Sequence, residues 1–107
     1  MVNPDGVANQ VEGGAIQTVS RTLMEEVKWD RTKVTSVDWA TYPILRFPDV
    51  PRVDIELIDR PGEVSWGVGE PTAVVIPPAI GNAVYDATGV RLRTVPFTPA
   101  AVKAAMA

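Results

Sequence analysis

Cysteine and histidine are both absent from this 107-residue sequence. Without cysteine there is no disulfide framework, no thiolate nucleophile and no sulfur ligand for zinc or an iron–sulfur cluster. Without histidine the usual zinc sets and a Ser-His-Asp triad are excluded as well. Any metal chemistry must use a metal brought by a cofactor or held by other polypeptide. An excess of positive charge is missing too. The net charge is -3, which gives no electrostatic case for a nucleic-acid partner. No apolar run approaches the roughly 20 residues of a membrane span. Met1-Val2-Asn3-Pro4-Asp5 lacks the basic and apolar regions of a signal peptide. Nothing in the sequence separates a cytoplasmic from a periplasmic location.

Punctuation, by contrast, is plentiful: ten prolines and eight glycines break up a chain already small enough for its core to be thin. Asn3-Pro4-Asp5 reads as a helix start, with Asn3 as N-cap, Pro4 in the first turn and Asp5 complementing the dipole. Val7, Val11, Ala15, Val19, Leu23 and Val27 then recur every four residues, predicting a long helix that ends near Glu26. A second face carries Gly6, Gln10, Gly13, Gly14 and Gln17. Two adjacent mid-helix glycines cost about 1 kcal/mol each relative to alanine. That face therefore serves either tight helix packing or a cofactor or backbone lying against it.

Val27–Asp30 and Thr32–Asp38 are expected as two short strands, and Arg52–Asp59 is the clearest strand, with Val53, Ile55 and Leu57 alternating with charged residues. Trp39 to Pro48 is apolar and proline-bounded, an ordered connection whose exposed surface implies a missing partner surface. After Val74-Val75-Ile76 and Pro77-Pro78, a short helix over Ala79–Ala87 should stop at Gly89 in the left-handed cap position. Val90–Val95 alternates as a strand, and Thr98-Pro99 starts a last short helix, Ala100–Met106. The order predicts an α+β fold: a long N-terminal helix, a small mixed or antiparallel sheet and short C-terminal helices.

The one carboxylate set in a special backbone context is Glu70, in Gly67-Val68-Gly69-Glu70-Pro71-Thr72. Proline after Glu70 is expected to restrict it to extended geometry. Two readings stand side by side: a positioned general base, or a charge at the positive end of a helix. A dinucleotide fingerprint fails because Thr72 stands where a third glycine is required, and a phosphate loop fails for want of a following lysine.

Asn9-Gln10-Val11-Glu12-Gly13-Gly14-Ala15-Ile16-Gln17, Leu23-Met24-Glu25-Glu26-Val27 and Trp39-Ala40-Thr41-Tyr42-Pro43-Ile44-Leu45-Arg46-Phe47 form an ordered series with Leu57-Ile58-Asp59-Arg60-Pro61, Gly67-Val68-Gly69-Glu70-Pro71 and Asn82 to Arg93. The series resembles the molybdopterin-binding large subunit of the xanthine oxidase and aldehyde oxidase family. It is nearest the isoquinoline 1-oxidoreductase beta-subunit type, which also includes nicotinate and aldehyde dehydrogenases. The resemblance covers essentially the whole chain, while most of the large subunit is absent. It implies that residues 1–107 are a single C-terminal segment of a larger molybdopterin-binding domain.

What the resemblance implies for chemistry is specific. Glu70 corresponds to the general base that takes a proton from Mo–OH as its oxygen attacks an aldehyde or N-heteroaromatic carbon, with hydride passing to Mo=S. Gln10 corresponds to the glutamine that hydrogen-bonds the pterin, with Gly13, Gly14 and Gly69 allowing close approach. No residue of the chain is expected as a metal ligand. The implied cofactors are molybdenum–molybdopterin in its cytosine dinucleotide form and iron–sulfur clusters on a partner subunit. The implied partners are the upstream part of the large subunit, an iron–sulfur small subunit and a small-molecule substrate. The rival is a non-catalytic remnant or interaction module that keeps part of the fold.

Overall fold

A computed structural model describes all 107 residues, Met1 to Ala107. Three α-helices follow one another: α1 (Pro4–Leu23), α2 (Pro71–Thr88) and α3 (Pro99–Ala105), with a single 3₁₀ turn at Phe47–Asp49. The only packed pair of elements is α1 against α2. The radius of gyration is 16.9 Å, against roughly 13 Å for a compact chain of this length. Long unstructured connections therefore spread over a two-helix centre rather than closing around a core.

The helix starts obey local chemistry. Asn3 adopts a β conformation, and its side chain accepts from the Gly6 N–H at 2.9 Å while Pro4 fills the first turn. Thr98 does the same for α3, accepting from Ala101 N–H. Gly89 ends α2 at φ 73, the left-handed cap anticipated there. The first helix stops at Leu23, earlier than Glu26, because Met24 leaves helical geometry while its N–H still bonds the Ser20 carbonyl.

The expected sheet does not form, and the α+β assignment is corrected to a mostly helical chain. Val27–Asp30 and Thr32–Asp38 shrink to one isolated antiparallel bridge, Trp29 with Val34. Asp30 Oδ1 holds that turn by accepting from the Thr32 N–H, the Thr32 hydroxyl and the Lys33 N–H. Arg52–Asp59 runs without a turn or bend and keeps the anticipated alternation, with Val53, Ile55 and Leu57 half-buried between exposed neighbours. Its backbone nevertheless pairs with nothing in the chain, and neither does that of Arg91–Val95. Alternation specifies a buried face, whereas a sheet needs a second strand in reach, and β preference is expressed only through such cross-strand contacts.

A second correction concerns α2, which is one helix from Pro71 through Pro77 and Pro78 instead of beginning after them. Proline's fixed φ is compatible with a helix; its cost is the lost donors and crowding of the preceding turn. Here the turns on either side carry the ladder.

The buried centre is polar. Only Ala15 and Phe97 are buried apolar residues, and Thr18, Ser20, Thr22 and Thr72 are buried with them. Each hydroxyl on α1 is satisfied: Thr18 donates to the Gly14 carbonyl at 2.6 Å, Thr22 to the Thr18 carbonyl at 2.7 Å, and Ser20 Oγ accepts from Leu45 N–H at 2.9 Å. Large apolar side chains lie outside this centre. Phe47 is 95% exposed, Trp66 88% and Trp39 67%, far from what a self-sufficient domain shows.

Candidate functional site

α1 and the start of α2 bring the glycine-and-amide face of the first helix against the Gly67–Thr72 loop. A Cβ placed on Gly69 would stand 3.5 Å from the Gln10 amide nitrogen, so the Gln10 side chain lies directly over the Gly69 backbone. Glu70 follows immediately. Of the sequence-selected residues, Gln10 thus meets Gly69, Glu70 is next to Gly69 in the chain, and all three are exposed.

The two glycines of α1 separate in role. A Cβ on Gly14 would meet Thr72 Cβ at 3.2 Å, so Gly14 serves the close approach of the two helices. Gly13 has nothing within 4 Å and borders a different hollow of about 400 Å³, lined also by Gln17, Trp39 and Tyr42. In the sequence Thr72 stands out only as a missing glycine. The signal for its role as the contact residue is the small-residue face opposite it.

Glu70 occupies the N-cap position of α2 at φ −110 and ψ −25. This is helical geometry, not the extended geometry that a following proline favours. The Glu70 carbonyl already accepts from Ala73 N–H at 2.9 Å, which draws ψ into the helix. Its carboxylate makes no capping hydrogen bond, and no ion pair engages it. The backbone is placed by the helix, while the side chain is exposed and uncommitted, lining an open hollow of about 360 Å³ with Gly67, Gly69, Pro71 and Val74. Gln10 lines a larger one of about 510 Å³ on the side of Trp66 and Val68. Asn82 is engaged elsewhere: its side chain accepts from Arg91 at 2.7 Å, and the Arg91 guanidinium stacks 4.1 Å from the Tyr85 ring centre.

The surface suits a large polar ligand. A primary amide can donate and accept at once, the adjacent Gly69 backbone is bare, and a carboxylate free of partners stands at the edge. No group of three histidine, cysteine or acidic side chains gathers anywhere in the chain.

The model of the molybdopterin cofactor-binding domain family matches residues 1–51. One of the subunits of nicotinate dehydrogenase from Pseudomonas putida KT2440 is 44% identical over 106 residues, covering 99% of this chain and 9% of that protein. A protein of Gluconacetobacter polyoxogenes named as a membrane-bound, pyrroloquinoline-quinone aldehyde dehydrogenase is 41% identical over 102 residues, 95% of this chain and 13% of its own length. The crystal structure of quinoline 2-oxidoreductase from Pseudomonas putida 86 superposes with a TM-score of 0.85 at 30% identity, covering 99% of this chain and 14% of that one. Over nearly its whole length the chain matches a segment of the molybdopterin-binding subunits of the xanthine oxidase family. It spans 9–14% of the length of these relatives.

Proposed function

We propose that this chain supplies one wall of the active site in a molybdenum hydroxylase acting on aldehydes or N-heteroaromatic compounds, with Glu70 as the general base. The observation that carries the reading is the contiguity of Gln10, Gly69 and Glu70 across two elements far apart in sequence. The substrate class is supported by the names of the relatives, which act on nicotinate, an aldehyde and quinoline. Residues 1–107 function as one segment of the larger domain, completed by upstream polypeptide. An iron–sulfur subunit is the proposed electron partner, and a cytosine dinucleotide is the proposed form of the pterin.

In this reading the Gln10 amide hydrogen-bonds the cofactor, and the Gly69 backbone allows it to lie close; Gly13 borders the separate hollow beside Trp39 and Tyr42. Gly14, already filled by Thr72, acts by fixing the distance between the two helices. The molybdenum cofactor, when bound, supplies the two-electron oxidant that these side chains lack. Glu70 accepts the proton released by the oxygen that attacks the substrate carbon, and a base so placed contributes roughly 10²–10⁴-fold in rate. Glu70 is exposed in this segment, and in this reading upstream polypeptide covers it.

The rival reading, a non-catalytic interaction module, draws on the exposed Trp39, Phe47 and Trp66. The test uses a subunit completed by upstream polypeptide, comparing the wild type with Glu70→Gln. At matched molybdenum content the reductive half-reaction should slow by roughly 10²-fold or more, with metal content unchanged. Equal rates would remove Glu70 from the chemistry. Recovery of a quinone in place of molybdenum would instead favour the cofactor in the Gluconacetobacter protein's name.

A further inference from the structure

Gln10 and Gly14 stand four residues apart on α1, one turn above the other on the same side of the helix. Gln10 lies over the Gly69 backbone, and a Cβ on Gly14 would stand 3.2 Å from Thr72 Cβ and 3.6 Å from its Oγ1. These two contacts bracket Glu70, which follows Gly69 and precedes the buried Thr72 by two residues. The Glu70 carboxylate makes no capping hydrogen bond and no ion pair, so the place from which it projects is set by the backbone. On one side that backbone comes from a loop where a Cβ on Gly67 would meet nothing within 4 Å. On the other side it enters a helix whose first turn is seated on α1 through Thr72. The Glu70 carbonyl accepts from Ala73 N–H at 2.9 Å, so the turn that holds Thr72 holds Glu70 as well.

We infer that Thr72, seated against Gly14, is the positioning residue for Glu70: this contact fixes the base relative to the Gln10 amide. The inference rests on the reading of Glu70 as the base and Gln10 as the cofactor-binding amide. α1 carries the amide and α2 carries the base, so the spacing of the two helices is the spacing of the two duties. Only a glycine at position 14 permits the present spacing, because an alanine there would force Thr72 to give by a few tenths of an ångström. Glu70 shares the turn and moves with it, while Gln10 stays on α1. Misplacement by about 1 Å costs roughly 10²-fold in rate, so about half that shift should cost roughly tenfold. Thr72 touches neither cofactor nor substrate in this reading and acts through Glu70.

The test uses the completed subunit and reads, for each variant, the reductive half-reaction rate at matched molybdenum content, molybdenum retention on dilution, and the denaturation midpoint. Gly14→Ala should slow the half-reaction roughly tenfold and leave retention unchanged. Adding Thr72→Gly transfers the Cβ from one side of the contact to the other, and the paired variant should be faster than either single one. Should Gly14→Ala not fold, Thr72→Gly opens the contact from the other side and should also slow the half-reaction with retention intact. A midpoint that falls while the rate at matched molybdenum holds, in either single variant, reduces the contact to packing and overturns the inference. A paired variant no faster than the single ones overturns it too. On the Glu70→Gln background Gly14→Ala should cost no further rate. A further tenfold loss there would mean that the contact acts on something other than the base, which overturns the inference and leaves the proposed function standing. Equal rates for the wild type and Glu70→Gln would overturn the proposed function, and the inference with it.

Discussion

Gly14 of α1 lies so close to Thr72 of α2 that a methyl group on its Cα would stand 3.2 Å from Thr72 Cβ. The neighbouring Gly13 faces open space. Adjacent residues of one helix are thus held to glycine by different demands, and the pair separates helix propensity from interhelical packing.

Gly13→Ala should therefore stabilise α1 by roughly 0.5–1 kcal/mol, the ordinary gain from replacing a helical glycine. Gly14→Ala gains the same propensity but must push Thr72, which is 9% exposed. Overpacking of this kind costs roughly 1–3 kcal/mol. Its net effect should be a loss. Chemical denaturation of the two variants beside the wild type decides the matter, and equal stabilisation by both would disprove the tight contact.

Phe97 is the only large apolar side chain buried in the chain. Its N–H donates to the Thr22 carbonyl at 2.7 Å, and its ring lies 3.5 Å from where a Cβ on Gly81 would be. It pins the C-terminal segment onto both long helices. Phe97→Ala should cost about 3 kcal/mol and loosen both long helices together, whereas Phe47→Ala, at a 95% exposed position, should leave the isolated chain's stability within about 0.5 kcal/mol. Comparable losses in the two variants would contradict this placement of the core.

The Tyr42 hydroxyl donates to Glu25 at 2.8 Å, joining the Trp39–Leu45 connection to the end of α1. That hydrogen bond to the carboxylate, followed by burial, raises the tyrosine above its ordinary 10.0. A folded-state value above the unfolded one means that the stabilisation is complete below pH 10.0 and disappears as pH rises past the folded value. Tyr42→Phe should flatten the alkaline fall in stability. On the acid side Asp38 is held below 3.8 by the Thr41 hydroxyl, then by the Thr41 N–H. Its contribution is present above pH 3.8 and is lost as pH falls below it. Thr41→Ala should bring the Asp38 titration, followed by carboxyl NMR, back toward 3.8, and an unmoved titration would show that the hydroxyl is not the cause.

Gln10 and Glu70 share one surface but hold different proposed duties, so their variants should fail differently. In the completed subunit Gln10→Ala should lower molybdenum retention on dilution by roughly tenfold, the equivalent of about 1.4 kcal/mol of cofactor binding. Glu70→Gln should leave retention intact. A Gln10 variant that keeps its metal as firmly as the wild type would remove the amide from cofactor binding.

Much of this molecule was written locally. Asn3-Pro4, Thr98-Pro99 and Gly89 fixed helix ends through capping and backbone chemistry that needs only a few neighbours. The order of motifs marks the family, and the glycines and proline around Glu70 set it apart from the other carboxylates in the sequence. Tertiary structure alone decided the rest. Whether Val53, Ile55 and Leu57 belong to a sheet depends on a strand that no residue in the chain provides. Whether Pro77-Pro78 ends a helix depends on the turns around it, and here it does not. That Gln10 lies over Gly69 while Gly14 fits Thr72 is a matter of how α1 crosses α2. Periodicity records which face of an element is apolar. The partner that covers that face is set by contacts between residues dozens of positions apart, or by polypeptide beyond these 107 residues.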